Sequence, residues 1–136
     1  MKLSCGVVPV RKKNNHWEFL ILRCYKNWDF PKGMKDPGEE PLETAIREFQ
    51  EETGLTKVDI VSKELYIETE PYSQGKIARY YLGKVTDDQE IVLLPNPVTG
   101  ILEHHEYRWM KARDAEELLV PRLKRVLHWA EKYLAI

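Results

Sequence analysis

No apolar run approaches the roughly 18 residues that a membrane-spanning helix needs, so no segment of the chain predicts a crossing. The N-terminus also lacks the order of a secretory leader. Its apolar stretch, Leu3–Val10, is short, and the basic residues Arg11, Lys12 and Lys13 follow it instead of preceding it. Cysteine is scarce: Cys5 and Cys24 stand alone, without CxxC spacing, inside apolar runs. They predict buried free thiols and a reducing compartment, hence a cytoplasmic protein. No Cys/His pattern suits zinc. There is no excess of positive charge either. A formal net charge of −1 gives no general attraction to a polyanion, which argues against a dedicated nucleic-acid binder. Repeats, low-complexity tracts and linkers are absent, so the 136 residues predict one compact domain, 1–136. With 43% apolar residues the chain can build a core.

Leu3–Val10 and Trp17–Tyr25 carry the β-branched and aromatic residues of strands, and polar Lys12–Asn15 between them predicts a hairpin. Trp28–Gly38 holds two prolines and two glycines, the mark of a loop. Pro41 suits a helical first turn and Gly54 a C-terminal stop. Between them Leu42, Ala45, Ile46 and Phe49 form one apolar stripe. Further strands are expected at Val58–Ser62, Glu64–Thr69, Ile77–Val85 and Tyr107–Met110. Asp114 would cap a short helix, and Pro121 would open a last one whose apolar face is Leu123, Val126, Leu127, Ala130 and Leu134. This order predicts an α+β fold, a mixed sheet between helices in an α/β/α sandwich.

What the chain has in excess is glutamate in one place. Glu39, Glu40, Glu43, Glu48, Glu51 and Glu52 crowd into a short stretch. On a helix over 41–53, Glu48, Glu51 and Glu52 share one side, away from the apolar stripe. Like charges at these spacings repel, and the helix dipole disfavours anions at its C-terminal end. A cation would relieve both. Oxygen-only donors favour a hard ion such as Mg²⁺, Mn²⁺ or Ca²⁺, and Mg²⁺ held by a few carboxylates completes its shell with water and phosphate oxygens. The alternative is a solvated acidic face.

The neighbouring residues extend the pattern. Gly33, five residues, Glu39, seven residues, Arg47-Glu48-Phe49, one residue, Glu51-Glu52, one residue, Gly54-Leu55 resembles the complete Nudix box. By that resemblance the chain would be a Mg²⁺-dependent phosphoanhydride hydrolase of nucleoside polyphosphates acting through a metal-activated water. Glu48 and Glu52 would be metal ligands, and Glu51 a direct or water-mediated one. Arg47 and Glu39 would brace the loop–helix–loop, and Gly33 and Gly54 would allow tight backbone at its ends. Phe30-Pro31-Lys32-Gly33, Gly38-Glu39 and the late Glu103-His104-His105-Glu106-Tyr107-Arg108-Trp109 are similar to the diadenosine tetraphosphate hydrolase branch. That similarity implies a phosphate contact for Lys32, a metal-ligand or general-base role for Glu103, and adenine stacking on Tyr80 or Tyr81. Adjacent strand residues face opposite ways, so at most one of the two tyrosines would line the site. Which glutamate is the base stays open: Glu51, Glu52 and Glu103 are the candidates. His104 and His105 are expected as loop residues rather than ligands. Competing substrates are the 5′ end of triphosphorylated RNA and non-standard nucleoside triphosphates. A non-catalytic nucleotide-binding module is the alternative of a different class, and retention of every box glutamate weighs against it.

Overall fold

The computed structural model describes residues 2–86 and 88–135. The first two strands, β1 (Leu3–Lys13) and β2 (His16–Cys24), form the expected hairpin. Asn14 and Asn15 both take positive φ at its tip, as a two-residue turn requires. The sequence from Trp28 to Gly38 is not wholly loop, however. It yields two short strands, β3 (Asn27–Asp29) and β4 (Lys32–Met34). Proline and glycine restrict local conformation, but β4 needs only three residues in register with β1. Helix α1 follows (Pro41–Thr53), then β5 (Asp59–Ile60), β6 (Tyr66–Glu68), β7 (Ile77–Lys84), β8 (Glu106–Met110), α2 (Ala112–Leu118) and α3 (Pro121–Leu134).

Among the described residues the strands join in one mixed eight-stranded sheet. Parallel β7 lines one edge of β1, from Leu3↔Ile77 to Val10↔Lys84. The other edge of β1 is shared: β2 pairs its far end and β4 its near end. Phe19 pairs with both Val10 and Met110, and Leu22 with both Asp29 and Tyr107. Thus β8 runs along the outer edge of β2, while β3 takes over the inner edge where β1 leaves it. This splay opens the sheet at Asp29–Lys32.

Alternation along the strands sends side chains to two cores. One, with Val8, Phe19, Phe30 and Tyr80, packs under α2 and α3 through Ala115, Leu123, Val126 and Leu127. The other, with Cys5, Val7, Leu20 and Tyr81, packs under α1 through Ala45 and Phe49. These two layers form the expected sandwich. The expected face of α3 is buried at Leu123, Val126, Leu127 and Ala130, and Leu134 is half-buried. Asp114 does not cap α2. The cap is Lys111, and Asp114 lies in the first turn, where its charge suits the helix dipole. Cys5 is buried, and desolvation pushes its thiol up to about 11; Cys24 is only half-buried. Among the described residues no helix is long and apolar enough to cross a membrane.

Candidate active site

Helix α1 sets the site. It starts after Glu40, whose N–H donates to the Glu43 carboxylate at 2.9 Å. It stops at Gly54, with φ 72°, where the Gly54 N–H donates to the Gln50 carbonyl at 3.0 Å. An L residue pays for that left-handed φ, and a Cβ there would also lie 2.8 Å from the Val92 carbonyl. Gly33 is required for a different reason than the tight backbone expected of it. Its φ is not positive and it sits within β4. A Cβ on it would land on the Glu48 carboxylate, so glycine leaves the room that Glu48 occupies.

Glu48, Glu51 and Glu52 share a side of α1, but they are recessed rather than on an open face. Their side chains keep 15%, 32% and 11% of their exposure. Together with Glu103 and His104 they line a narrow cleft closed by Leu94, Asn96 and Pro97. Burial pushes the Glu48 carboxyl up to about 7; Glu51 and Glu103 add to the rise and Arg47 opposes it. Burial drives Glu52 well above the carboxylate range, with Glu48 adding and Lys32 opposing. No basic residue occupies the last turn of α1. Among the described residues, no group of three or more Asp, Glu, His or Cys side chains is arranged to hold a metal ion. A hard divalent ion needs fewer, since one or two carboxylates with water and phosphate oxygens complete its shell. Recessed carboxylates that resist ionisation side by side are a donor set suited to such an ion.

Arg47 organises these anions. Its Nε donates to Glu39 Oε2 at 2.7 Å and its Nη2 to Glu39 Oε1 at 3.0 Å, a two-pronged pair. Nη2 also reaches the Met34 carbonyl at 3.2 Å, while Nη1 lies 3.3 Å from both Glu48 and Glu51. These contacts tie the segment before α1 to the helix itself. The hydrogen bonds from Arg47, followed by those from the Asp36 N–H and Thr44 hydroxyl, pull the Glu39 carboxyl down to about 2. A depressed carboxyl stabilises the fold above its unfolded pKa and ceases to do so as pH falls toward the folded value. The E39Q variant is therefore expected to show a shallower loss of stability between about pH 4.5 and about pH 2 than the parent, measured by chemical denaturation across that window.

Lys32 emerges from β4 at the splay of the sheet. Its Nζ stands 3.4 Å from Asp29 Oδ2. Burial alone would lower its pKa, but Asp29 foremost, together with Tyr72 and Glu52, outweighs it and holds the ammonium above its ordinary value. Lys32 lines both the side of the cleft that carries Glu48 and Glu51 and a second cavity of about 430 Å³. That cavity is also lined by Leu22, Tyr25, Asn27, Glu103 and His105. Tyr25 is 77% exposed, with its ring centroid 5.4 Å from that of His105. A larger groove of about 680 Å³ lies along Arg11, Glu90, Tyr107 and Trp109, and no box carboxylate borders it.

The stacking expected of Tyr80 or Tyr81 does not fit this arrangement. The two rings do face opposite ways, but each enters a core. Tyr80 is fully buried and its hydroxyl donates to Asp29 Oδ1 at 2.8 Å. Tyr81 is 2% exposed and leans on Tyr66. Neither offers a free ring face. His104 and His105 lie in the loop before β8, as expected, and His104 Nε2 approaches Glu52 Oε1 at 3.4 Å. Glu103 is held by Asn96, whose Nδ2 donates to Glu103 Oε1 at 3.1 Å. Tyr25, Asp29 and Asn96 were not singled out by the sequence. Asn96-Pro97 marks a turn, but only the fold brings it to Glu103.

The sandwich, the splayed sheet and the braced glutamate helix define a Nudix-type domain, and the chain belongs to the Nudix family, whose NUDIX domain model matches residues 2–130. The chain is 35% identical over 128 residues to a bis(5′-nucleosyl)-tetraphosphatase (asymmetrical) of Rattus norvegicus, covering 85% of this chain and 82% of that protein. It is 31% identical over 112 residues to an RNA pyrophosphohydrolase of Brucella anthropi, covering 73% of this chain and 64% of that one. The crystal structure of a Caenorhabditis elegans Ap4A hydrolase binary complex superposes with a TM-score of 0.87 at 27% identity, covering 99% of this chain and 98% of that one. The chain is a Nudix hydrolase.

Proposed function

We propose that this hydrolase cleaves dinucleoside polyphosphates, with diadenosine tetraphosphate split asymmetrically into ATP and AMP. The observation that carries this reading is the junction of two chemistries at Lys32 and Glu103. The recessed carboxylates of α1 lie on one side, and the aromatic-rimmed cavity lies on the other. A polyphosphate bound along Lys32 would set one nucleoside in that cavity, where Tyr25 and His105 offer the ring faces that Tyr80 and Tyr81 do not. The similarity to asymmetrical tetraphosphatases supports the same reading.

Nudix hydrolases generally use divalent metals, and Glu48 and Glu52, with Glu51 beside them, would hold Mg²⁺ or Mn²⁺ here. The ion would supply charge neutralisation at the phosphate oxygens and acidify a water within reach. The chain's own residues do the rest. Lys32 places a positive charge where the leaving phosphate develops its negative one. Glu103 stands at the meeting of the cleft and the cavity and would take the proton of the attacking water. Glu51 and Glu52 remain the alternative bases. Arg47 keeps Glu48 and Glu51 from drifting apart when the ion is absent.

The E103Q variant is expected to lose about 100-fold or more in kcat. Asn96 orients Glu103, so N96D, which keeps the loop's acceptor but turns a donor into a repelling anion, should lose about tenfold or more. Steady-state kinetics at saturating Mg²⁺ check both, and unchanged turnover in E103Q would remove Glu103 from the mechanism.

The RNA reading rests on the similarity to RNA pyrophosphohydrolases. Comparing kcat/KM for diadenosine tetraphosphate, 5′-triphosphate RNA and non-standard nucleoside triphosphates decides between them. The reading stands if the dinucleotide is preferred and gives ATP and AMP in equal amounts. It fails if RNA is preferred or if the dinucleotide yields two ADP.

A further inference from the structure

A carboxylate beside a polyphosphate site repels its substrate, so Asp29 needs a reason to be there. Asp29 ends β3 at the splay of the sheet, and both of its oxygens are engaged. Oδ1 accepts from its neighbour's backbone, the Phe30 N–H at 2.6 Å, and from the Tyr80 hydroxyl at 2.8 Å. Oδ2 faces the Lys32 ammonium at 3.4 Å. The sheet itself sets this up. Gly6 on β1 pairs with Tyr80 on β7 and with Lys32 on β4, so the two side chains flank one residue. That residue has no side chain: a Cβ on Gly6 would lie 2.6 Å from the Lys32 Cβ. Tyr80 is fully buried and cannot touch a substrate, yet it spends its only hydroxyl proton on Asp29.

We propose that Asp29 is a positioning residue for Lys32, clamped from behind by the Tyr80 hydroxyl, so that the ammonium is held over the phosphate path before substrate arrives. Lysine has a flexible four-carbon stem with many rotamers to lose. A fixed carboxylate removes that freedom in advance, and a preorganised charge stabilises a transition state better than one that must be gathered. Asp29 never meets the reacting atoms; it acts through Lys32. The inference rests on the phosphate role of Lys32 in the proposed function.

The test is a double-mutant cycle on the full chain with diadenosine tetraphosphate and Mg²⁺, using D29N, Y80F and K32M. K32M alone is expected to lower kcat about 100-fold. D29N should lower kcat about tenfold, with a KM that holds or falls because a repelling charge has gone. Y80F should lower kcat about threefold, in the same direction. In the K32M background both changes should have no further effect on kcat. The side-chain ammonium resonance of Lys32, slowed in exchange by its ion pair, should be visible by NMR in the parent and lost in D29N.

A D29N effect that persists undiminished beside K32M overturns the inference while leaving the role of Lys32 intact. Full turnover in K32M overturns both. A parent that cleaves no nucleoside polyphosphate removes the proposed function and the inference together.

Discussion

Replacing Glu52 with Gln is expected to cut turnover on the order of a thousandfold while leaving the metal-free protein as stable as the parent or more so. The two halves of this result come from one fact. Glu52 is recessed, and its carboxyl is driven well above the usual range, first by burial and then by Glu48. A raised carboxyl pKa means that the folded state resists ionisation. Near neutral pH the ionised form therefore subtracts from stability, and a neutral isostere removes that cost. Glutamine keeps the shape but cannot supply the anionic oxygen a divalent ion needs. Melting curves with and without Mg²⁺ separate the effects. The parent should gain stability with the ion by mass action, about 2.7 kcal/mol at a hundred times its Kd, and E52Q should gain less. Near-normal turnover in E52Q would remove Glu52 from the site. A large drop in its metal-free melting temperature would make Glu52 a structural residue instead.

The second large effect is expected at Gly33. G33A should lower turnover about 100-fold with little change in melting temperature. An added Cβ would fall on the Glu48 carboxylate, the end of a flexible side chain that can swing aside cheaply. The cost then appears in chemistry, because Glu48 leaves its place. Gly54→Ala makes the contrasting case. It forces an L residue into φ 72° and against the Val92 carbonyl, so about 1–2 kcal/mol of stability should be lost. Kinetics and thermal melts on the two variants should therefore diverge in opposite directions. A G33A enzyme with parental kcat would show that Glu48 does not need its observed position.

Much of this architecture was legible in the residues. Apolar, β-branched and aromatic runs placed β1 and β2, helical spacing of apolar residues placed α1 and α3, and Pro41, Gly54 and Pro121 marked helix ends. Glu48, Glu51 and Glu52 stood out because like charges crowd one side of a helix near its C-terminal end, and Arg47 because it fills its place in the Nudix box. What was hidden depends on distant pairing. The strands β3 and β4 are three residues each and exist through register with β2 and β1, which local propensity does not encode. Tyr80 and Tyr81 could be assigned to opposite faces, but both faces of the sheet are covered, so each ring is buried. An exposed aromatic looks the same in sequence as a buried one, so nothing local separates Tyr25 from Tyr80 and Tyr81. Asp29 and Asn96 gain their roles from Lys32 and Glu103, which only folding brings to them.

The most direct measurement incubates the purified chain with diadenosine tetraphosphate, once with Mg²⁺ and once with the ion chelated, and resolves the nucleotides by ion-exchange chromatography. ATP and AMP are expected in equal amounts with Mg²⁺, with activity restored when Mn²⁺ replaces it, and no products in chelator or with E52Q. Equal cleavage with and without a divalent ion, or cleavage that survives E52Q, would contradict it.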